Sequence, residues 1–319
     1  MNEAKPPLVS VIIPTWNRAK IVTERTIRSV LAQTYQNIEC ILVDDGSTDD
    51  TEARVTAMAQ ADPRLKYFKK KNGGQGAARN YGVRQAQGEY IAFTDDDDEF
   101  LPGYMEVAME HYRALPPEVS YISSGAIIRD LDGRESYYLP EIEPFWKFSI
   151  GNGWVFRRHV FFDHQLFFHE DRVGFDDLDL LIRFHLAGQK GFVFPEALRV
   201  YYTAIGTKKF SASKNYDQQC KDFEVFFAMD KEIYRAAGAD AYAWICRFGG
   251  TLYCQNGNLK RGRALLWESF HAQAQLITAF YLFISYLGRR GFLYADYIKS
   301  RIMRVLRSGF MNRLAPQPK

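Results

Sequence analysis

Four consecutive carboxylates, Asp95 to Asp98, with Glu99 behind them, close the aromatic and apolar run Tyr90-Ile91-Ala92-Phe93. Like charges a few ångströms apart repel, and taking them out of water costs more still. The stretch is therefore either a solvated turn, the usual fate of a charge run, or a place built for something positive. Leu101, Pro102 and Tyr104 follow at once and favour packed structure over a free tip. Converging carboxylate oxygens suit a hard divalent cation, Mg2+ or Mn2+, whose shell substrate phosphates complete. Two further acidic groups carry their own alternatives. Asp44, Asp45 and Ser47 are good caps for a following helix, and Asp176, Asp177 and Asp179 at a helix start complement its dipole. The stretch NGGQGAARN (72–80) sets glycines before a helix N-terminus, which favours anions, but it lacks the GxGxxG spacing of a dinucleotide loop. Arg79, one turn in, reads on its own as a surface charge, and Trp16 as core or edge packing.

The elements that must position these residues follow from the apolar pattern. Short β-branched runs at 8–13, 38–43, 65–70 and 90–94 read as strands, the first stopping at Pro14. Between them, 21–33, 51–59 and 74–88 read as helices. Strands alternating with helices predict a parallel sheet covered on both faces. Ligands bind such sheets outside the carboxyl ends of the strands. Pro14–Arg18, Asp44–Ser47 and Asp95–Asp98 all fall there, so topology alone brings three polar clusters to one edge. Beyond 101, strands at 121–130 and 132–139 flank an Asp132-Gly133 turn. Residues 154–162 are mixed, and 176–194 is a helix stopped by Gly188, then a strand. The polar, basic segment 206–219 reads as a linker or loop, and everything beyond it as helical. Residues 250–272 form a helix, an Asn-Gly turn and a helix, like one helical-hairpin repeat.

Five motifs, VSVIIPTWNR, VDDGSTDDT, NGGQGAARNYG, GEYIAFTDDDDEFLP and FDDLDLLIRFHLAG, occur in the order and rough spacing of the family 2 glycosyltransferases. The resemblance covers residues 8–205. It implies the GT-A fold, an α/β architecture with a mostly parallel sheet flanked by helices, here followed by an all-helical extension. It also implies inverting transfer of a hexosyl or N-acetylhexosaminyl group from a nucleotide sugar, UDP-linked, in bacterial surface-polysaccharide synthesis. Asp95-Asp96-Asp97 resembles the family's DxD element, which puts Asp97 and Asp95 on the metal and Asp96 or Asp95 towards the donor's ribose or sugar. By the same similarity Asp45 accepts the N3–H of a uracil-type base, Trp16 stacks on that base, and Pro14, Thr15 and Asn17 shape its pocket. Arg79 becomes a donor-binding arginine. Asp177 becomes the general base that takes the acceptor hydroxyl's proton, with Asp176 orienting it, while Asp179 faces solvent or a helix partner. The chain departs from the pattern in one respect. Residues 200–211 hold no histidine near the metal: Ile205 or a neighbour takes its place, and Lys208 or Lys209 either contacts phosphate instead or belongs to a solvated basic loop.

Composition limits the other classes. A formal net charge of +3 is too small to argue for nucleic acid. Four scattered cysteines without a CxxC pair exclude a disulfide framework and structural zinc, and fit a reducing cytosol. The N-terminus lacks an apolar signal region, and LITAFYLFISYLG (276–288) falls short of the ~20 apolar residues of a membrane span. Residues 297–310 alternate apolar and basic positions at helical spacing, as in a helix lying on a membrane surface or one packed on its own domain. The expected division is a catalytic domain, 1–205, and a helical region, 206–319. Expected partners are the nucleotide-sugar donor, a glycan or lipid-linked acceptor and the inner face of the cytoplasmic membrane. Two rivals stay open: a GT-A-like nucleotidyltransferase, though PTWNRAK lacks that class's glycines, and a binding protein without catalysis.

Overall fold

Unbroken aliphatic runs make β1 (Val9–Thr15) and β2 (Ile38–Asp44) strands buried on both faces, the pattern of a parallel sheet with helices on either side. The computed structural model describes residues 6–130, 133–138, 153–170, 174–202 and 216–299. The chain divides into two compact units, Met1–Ser213 and Lys214–Lys319. In the first unit β3 (Leu65–Lys69) pairs with β2, and β4 (Tyr90–Phe93) with β1, all in parallel. The sheet then becomes mixed. Its order is β3-β2-β1-β4-β8-β6-β9-β5, with β7 on β6, where β5 is Glu99–Phe100, β6 Val119–Arg129, β7 Glu135–Tyr138, β8 Trp154–Arg157 and β9 Lys190–Tyr202. β8 is antiparallel to both β4 and β6, while β6 and β9 run parallel through three register shifts.

The period-2 alternation of β1 builds two cores. Val9, Val11 and Ile13 share a core with Val22 of the π turn that joins α1 (Ala19–Ile21) to α2 (Ile27–Leu31) and with Ile27 and Val30 of α2, and α3 (Thr51–Ala61) and α5 (Tyr104–Ala114) pack on the same side. Ile12 faces the other side, with α4 (Gln75–Gln85), α6 (His159–Asp163) and α7 (Asp176–Leu186). At Gly82 a Cβ would sit 2.5 Å from Ile12, so only glycine lets α4 approach β1 so closely. The first strand does not stop at Pro14 as its sequence suggests. Ile12 is the last residue of β1 paired with β4, whereas pairing with β2 continues to Thr15. Pro14 faces the β4 side beyond the end of that ladder, where its missing N–H costs nothing.

The second unit is helical throughout its described residues: α8 (Tyr216–Ala236), α9 (Ala239–Asn256), α10 (Leu259–Ala272), α11 (Leu276–Ser285) and a further helical stretch, 288–299. Gly257 at φ 99° ends α9, and the Asn258 side chain accepts from the Arg261 N–H to start α10. Asp132, most of the 206–219 segment and the basic stretch past residue 299 lie outside the described residues, as do Lys208 and Lys209.

Candidate active site

At the carboxyl end of β1, Thr15 Oγ1 donates to Asp96 Oδ2 at 2.8 Å. Asn17 then takes a left-handed conformation, φ 53°, which asparagine tolerates. Its N–H donates to Ser47 Oγ and its Oδ1 accepts from the Thr48 N–H. These bonds tie the loop after β1 to the loop after β2. Pro14 stays buried beneath this knot, and Trp16 is pushed outward, 56% exposed.

Asp44 and Asp45 do not cap α3. Asp44 accepts from the Ser47 N–H and the Tyr67 hydroxyl, closing its own turn. Asp45, buried, accepts from Lys70 Nζ at 2.7 Å and from the N–H groups of Gly73 and Gly74. The N-cap position is Asp50, which makes no side-chain cap bond, and Asp49 just before it accepts the Thr51 N–H. Asp45 thus shapes the glycine loop from which α4 springs, and the next residue, Gln75, reaches Asp95 at 3.0 Å.

The four aspartates part company. Asp98 turns away and accepts the Tyr202 N–H, while Glu99 accepts the Tyr202 hydroxyl. Asp96 and Asp97 share Arg18 Nη1 at 2.9 and 2.8 Å, and Arg25 donates to the Asp97 carbonyl. Asp95 accepts from Arg79 Nη2 at 2.9 Å. Guanidinium groups and a backbone N–H thus already hold part of the run. Burial drives the Asp96 carboxyl up to about 7 and Asp97 adds to this, although Arg18 and Thr15 oppose it.

Gly174 and Phe175 both have positive φ, 80° and 58°, and set the start of α7. An aromatic residue in that region is strained, a feature that clusters at functional sites. Asp176 accepts from Arg79 Nη1 at 2.8 Å, so one buried guanidinium bridges the end of β4 and the start of α7. Asp177 borders a small pocket lined by Phe93, Trp154, Phe168 and Leu180. These apolar walls and then Asp176 raise its carboxyl to about 7, against Arg79 and the Leu178 N–H. Asp179 is fully buried on its own helix, gripped by Arg183 at 2.6 Å.

Arg79, Asp95, Asp96, Asp97, Asp176 and Asp177 are therefore brought together, with Thr15 joined to them directly and Asp45 through the glycine loop. Sequence reasoning gave no role to Arg18, Arg25, Gln75 or Lys70. The sole signal for Arg18 is that an acidic edge needs counter-charges and Arg18 ends the loop facing it.

The donor set fits a hard divalent cation. The Asp95 side chain is 25% exposed, and its Oδ2 has no hydrogen-bond partner among the described residues. Asp97, two residues on, is a second carboxylate, with its side chain 3% exposed and its Oδ2 on Arg18 at 2.8 Å. No group of three or more potential ligands that could hold an ion occurs among the described residues, so an ion here needs oxygens from a bound diphosphate, as Mg2+ sites commonly do.

The sequence profile described as glycosyl transferase family 2 matches residues 10–171. An uncharacterised glycosyltransferase of Rickettsia conorii is 47% identical over 110 residues, 34% of this chain and 17% of that protein. The chain thus spans under a fifth of the length of this relative. WcaA of Escherichia coli K12, named provisionally as a colanic acid biosynthesis glycosyl transferase, is 30% identical over 68% of this chain and 82% of its own length. A GalNAc(5)-diNAcBac-PP-undecaprenol beta-1,3-glucosyltransferase of Campylobacter jejuni is 42% identical over 61% of this chain and 64% of its own. Among solved structures, S. aureus TarS 1-349 with UDP-GlcNAc superposes with a TM-score of 0.64 over 92% of both chains at 17% identity. The Pyrobaculum calidifontis mannosyltransferase PcManGT, with GDP-Man and Mn2+, gives 0.58 over 95% of this chain and 85% of its own at 21% identity. These likenesses establish the GT-A fold.

Proposed function

Because the chain belongs to glycosyl transferase family 2, we propose that it moves a hexosyl or N-acetylhexosaminyl group from a UDP-sugar to a hydroxyl of a glycan or lipid-linked acceptor, with inversion. The observation that carries this reading is the Arg79 bridge. It holds Asp95, our candidate for the diphosphate end of the donor, against the Asp176-Asp177 pair, our candidate for proton transfer. Relatives support the substrate classes: TarS is complexed with UDP-GlcNAc, and the Campylobacter enzyme is named for a lipid-linked acceptor.

Trp16, exposed beside the strand ends, offers its face to the base, with Pro14, Thr15 and Asn17 shaping the edge. Asp45 meets the base only by trading one of the donors it now holds. Asp96 lies towards the ribose or sugar. Arg79 has both terminal nitrogens on carboxylates, so it serves the donor through Asp95 rather than by touching phosphate. Asp95 and Asp97 would hold Mn2+ or Mg2+, which when bound stabilises the charge growing on the departing diphosphate. Asp177 accepts the proton of the acceptor hydroxyl as its oxygen bonds to the anomeric carbon, and the bond to the diphosphate oxygen breaks on the opposite face. One displacement inverts that carbon. Nucleotide donor and lipid-linked acceptor meet at the cytoplasmic face of the membrane, where we place the enzyme, with the basic stretch after residue 297 as one membrane contact.

The test is a panel of UDP-sugars with Mn2+ and saccharide acceptors, following UDP release and the anomeric configuration of the product. Asp177→Asn should bind donor and lose transfer. A purely binding protein would release no UDP with any donor, a nucleotidyltransferase would release pyrophosphate from UTP, and retention of configuration would sink the single displacement.

A further inference from the structure

The helical unit shows a face that its own core does not explain. On α11 one side, including Tyr281, Leu282 and Ile284, packs with Cys254, Leu266 and Phe292. The other side is equally apolar but lies in solvent. Leu276, Phe280 and Phe283 recur at i, i+4 and i+7, one stripe of a helix, with Leu276 93% and Phe283 68% exposed, and Leu287 in the turn after it is exposed as well. The next helical stretch, 288–299, continues in kind. Arg290, Tyr294 and Tyr297 fall at i, i+4 and i+7 and are exposed, whereas Phe292 is buried. Tyr286 is exposed too, under the Arg263 guanidinium.

Charge selects the occupant. No acidic residue stands between Glu268 and Asp296 in the sequence, and Asp296 is itself engaged by the Tyr281 hydroxyl and the Gln255 amide. The face therefore offers aliphatic and aromatic side chains, tyrosine hydroxyls and the exposed Arg289 and Arg290. Apolar stripe, interfacial aromatics and cationic flank together complement an anionic lipid surface. At ten residues α11 is about 15 Å long, half the thickness of a bilayer's hydrocarbon core. No helix among the described residues is long and apolar enough to cross a membrane. The element is suited to lie on a bilayer rather than pass through it.

We propose that the exposed face of α11 and residues 288–299 docks on an anionic phospholipid surface. This rests on the membrane-side placement proposed above, but its evidence lies in α11 and the residues that follow it up to Tyr297, and does not depend on the transfer chemistry. The experiment is flotation of the full chain with phosphatidylglycerol-containing vesicles and with pure phosphatidylcholine vesicles, without substrate. The chain should float with the first and little with the second. The double variant Phe283→Asp/Leu287→Asp should bind at least tenfold more weakly, and Arg289→Ala/Arg290→Ala about tenfold more weakly, with salt weakening the wild type. Both pairs are exposed, and circular dichroism checks that the variants fold. UDP release from the free donor should be unchanged in them. Unaltered flotation of the double aspartate variant overturns the proposal. So does a wild-type chain that ignores both vesicles and forms a dimer which that variant dissolves. If vesicles bind while no UDP-sugar is turned over, the enzymatic reading falls and this one stands.

Discussion

Arg79 and Asp176 stand 97 positions apart in the chain, yet their buried side chains meet at 2.8 Å. The second terminal nitrogen of the same guanidinium holds Asp95. Removing one partner of a buried pair leaves charge with no compensation, and typically costs about 3–5 kcal/mol. Arg79→Met should therefore lower the urea-unfolding free energy by roughly 3 kcal/mol and abolish transfer. Arg79→Lys keeps the charge but cannot fork between two carboxylates, so it should recover part of the stability and little of the activity. Unfolding midpoints identical to wild type would show that the bridge carries no charge balance.

Asp177 makes the pH dependence of activity and of stability run in opposite directions. Its carboxyl is raised to about 7, first by its apolar surroundings and then by Asp176. A base works only when ionised, so kcat/KM should rise with pH through about 7. For folding the sign reverses. Between the ordinary aspartate value, about 3.9, and about 7, the native state holds the proton that the unfolded chain has released. Stability from this group is therefore greatest at low pH and declines across that window. Asp177→Asn should flatten that slope and lower kcat by about 100- to 10,000-fold while leaving donor affinity in place. A rising pH–rate limb that survives in Asp177→Asn would move the base elsewhere.

Trp16 separates binding from folding. It is 56% exposed, so Trp16→Ala should change stability by no more than about 0.5 kcal/mol. Loss of a stacking partner is worth about 0.5–1.5 kcal/mol, or roughly two- to tenfold in affinity for UDP. Calorimetric titration of UDP measures it. Equal affinities would leave the indole as a surface side chain with no part in the donor site.

The sequence exposes the strand ends because each apolar run is short, buried and followed by polar residues. Parallel topology then places Thr15, Asp45 and Asp95 along one edge. It does not expose the counter-charges. Arg18 meets Asp97 across 79 positions, and Tyr202 meets Asp98 across 104. Such pairs leave no local spacing to read. The same holds for Asp45, whose capping chemistry is real but is spent on Gly73 and Gly74 rather than on the helix that follows it. In α11 periodicity failed for another reason. An all-apolar helix reads alike whether its second face meets protein, lipid or water, and only the fold shows which side is covered.

At the opposite edge of the sheet a second charged knot sets a different pH response. Glu39, buried on β2, accepts from Ser10 Oγ and Lys66 Nζ, both at 2.5 Å, and from the Gln87 N–H at 2.7 Å. Burial works to raise its carboxyl, but Lys66, Ser10 and the Gln87 N–H outweigh it and hold the value below the usual glutamate range. A depressed native value means that the stabilisation is full above the ordinary glutamate pKa and is lost as pH falls through the native one. Glu39→Gln should therefore shallow the acid limb of the stability curve, measured by urea unfolding between pH 3 and about 6. Gly88 tests the same knot by shape. Its N–H donates to Ser10 Oγ, and an added Cβ would fall 2.6 Å from that oxygen and 2.7 Å from the Leu8 carbonyl. Backbone cannot yield as a flexible side chain does, so Gly88→Ala should destabilise by about 1–3 kcal/mol. Because this knot joins the amino ends of β1, β2 and β4, affinity for UDP at their carboxyl ends should persist in the folded variant. A Gly88→Ala chain as stable as wild type would mean that the two strands separate there without cost, and that the knot does not fix their register.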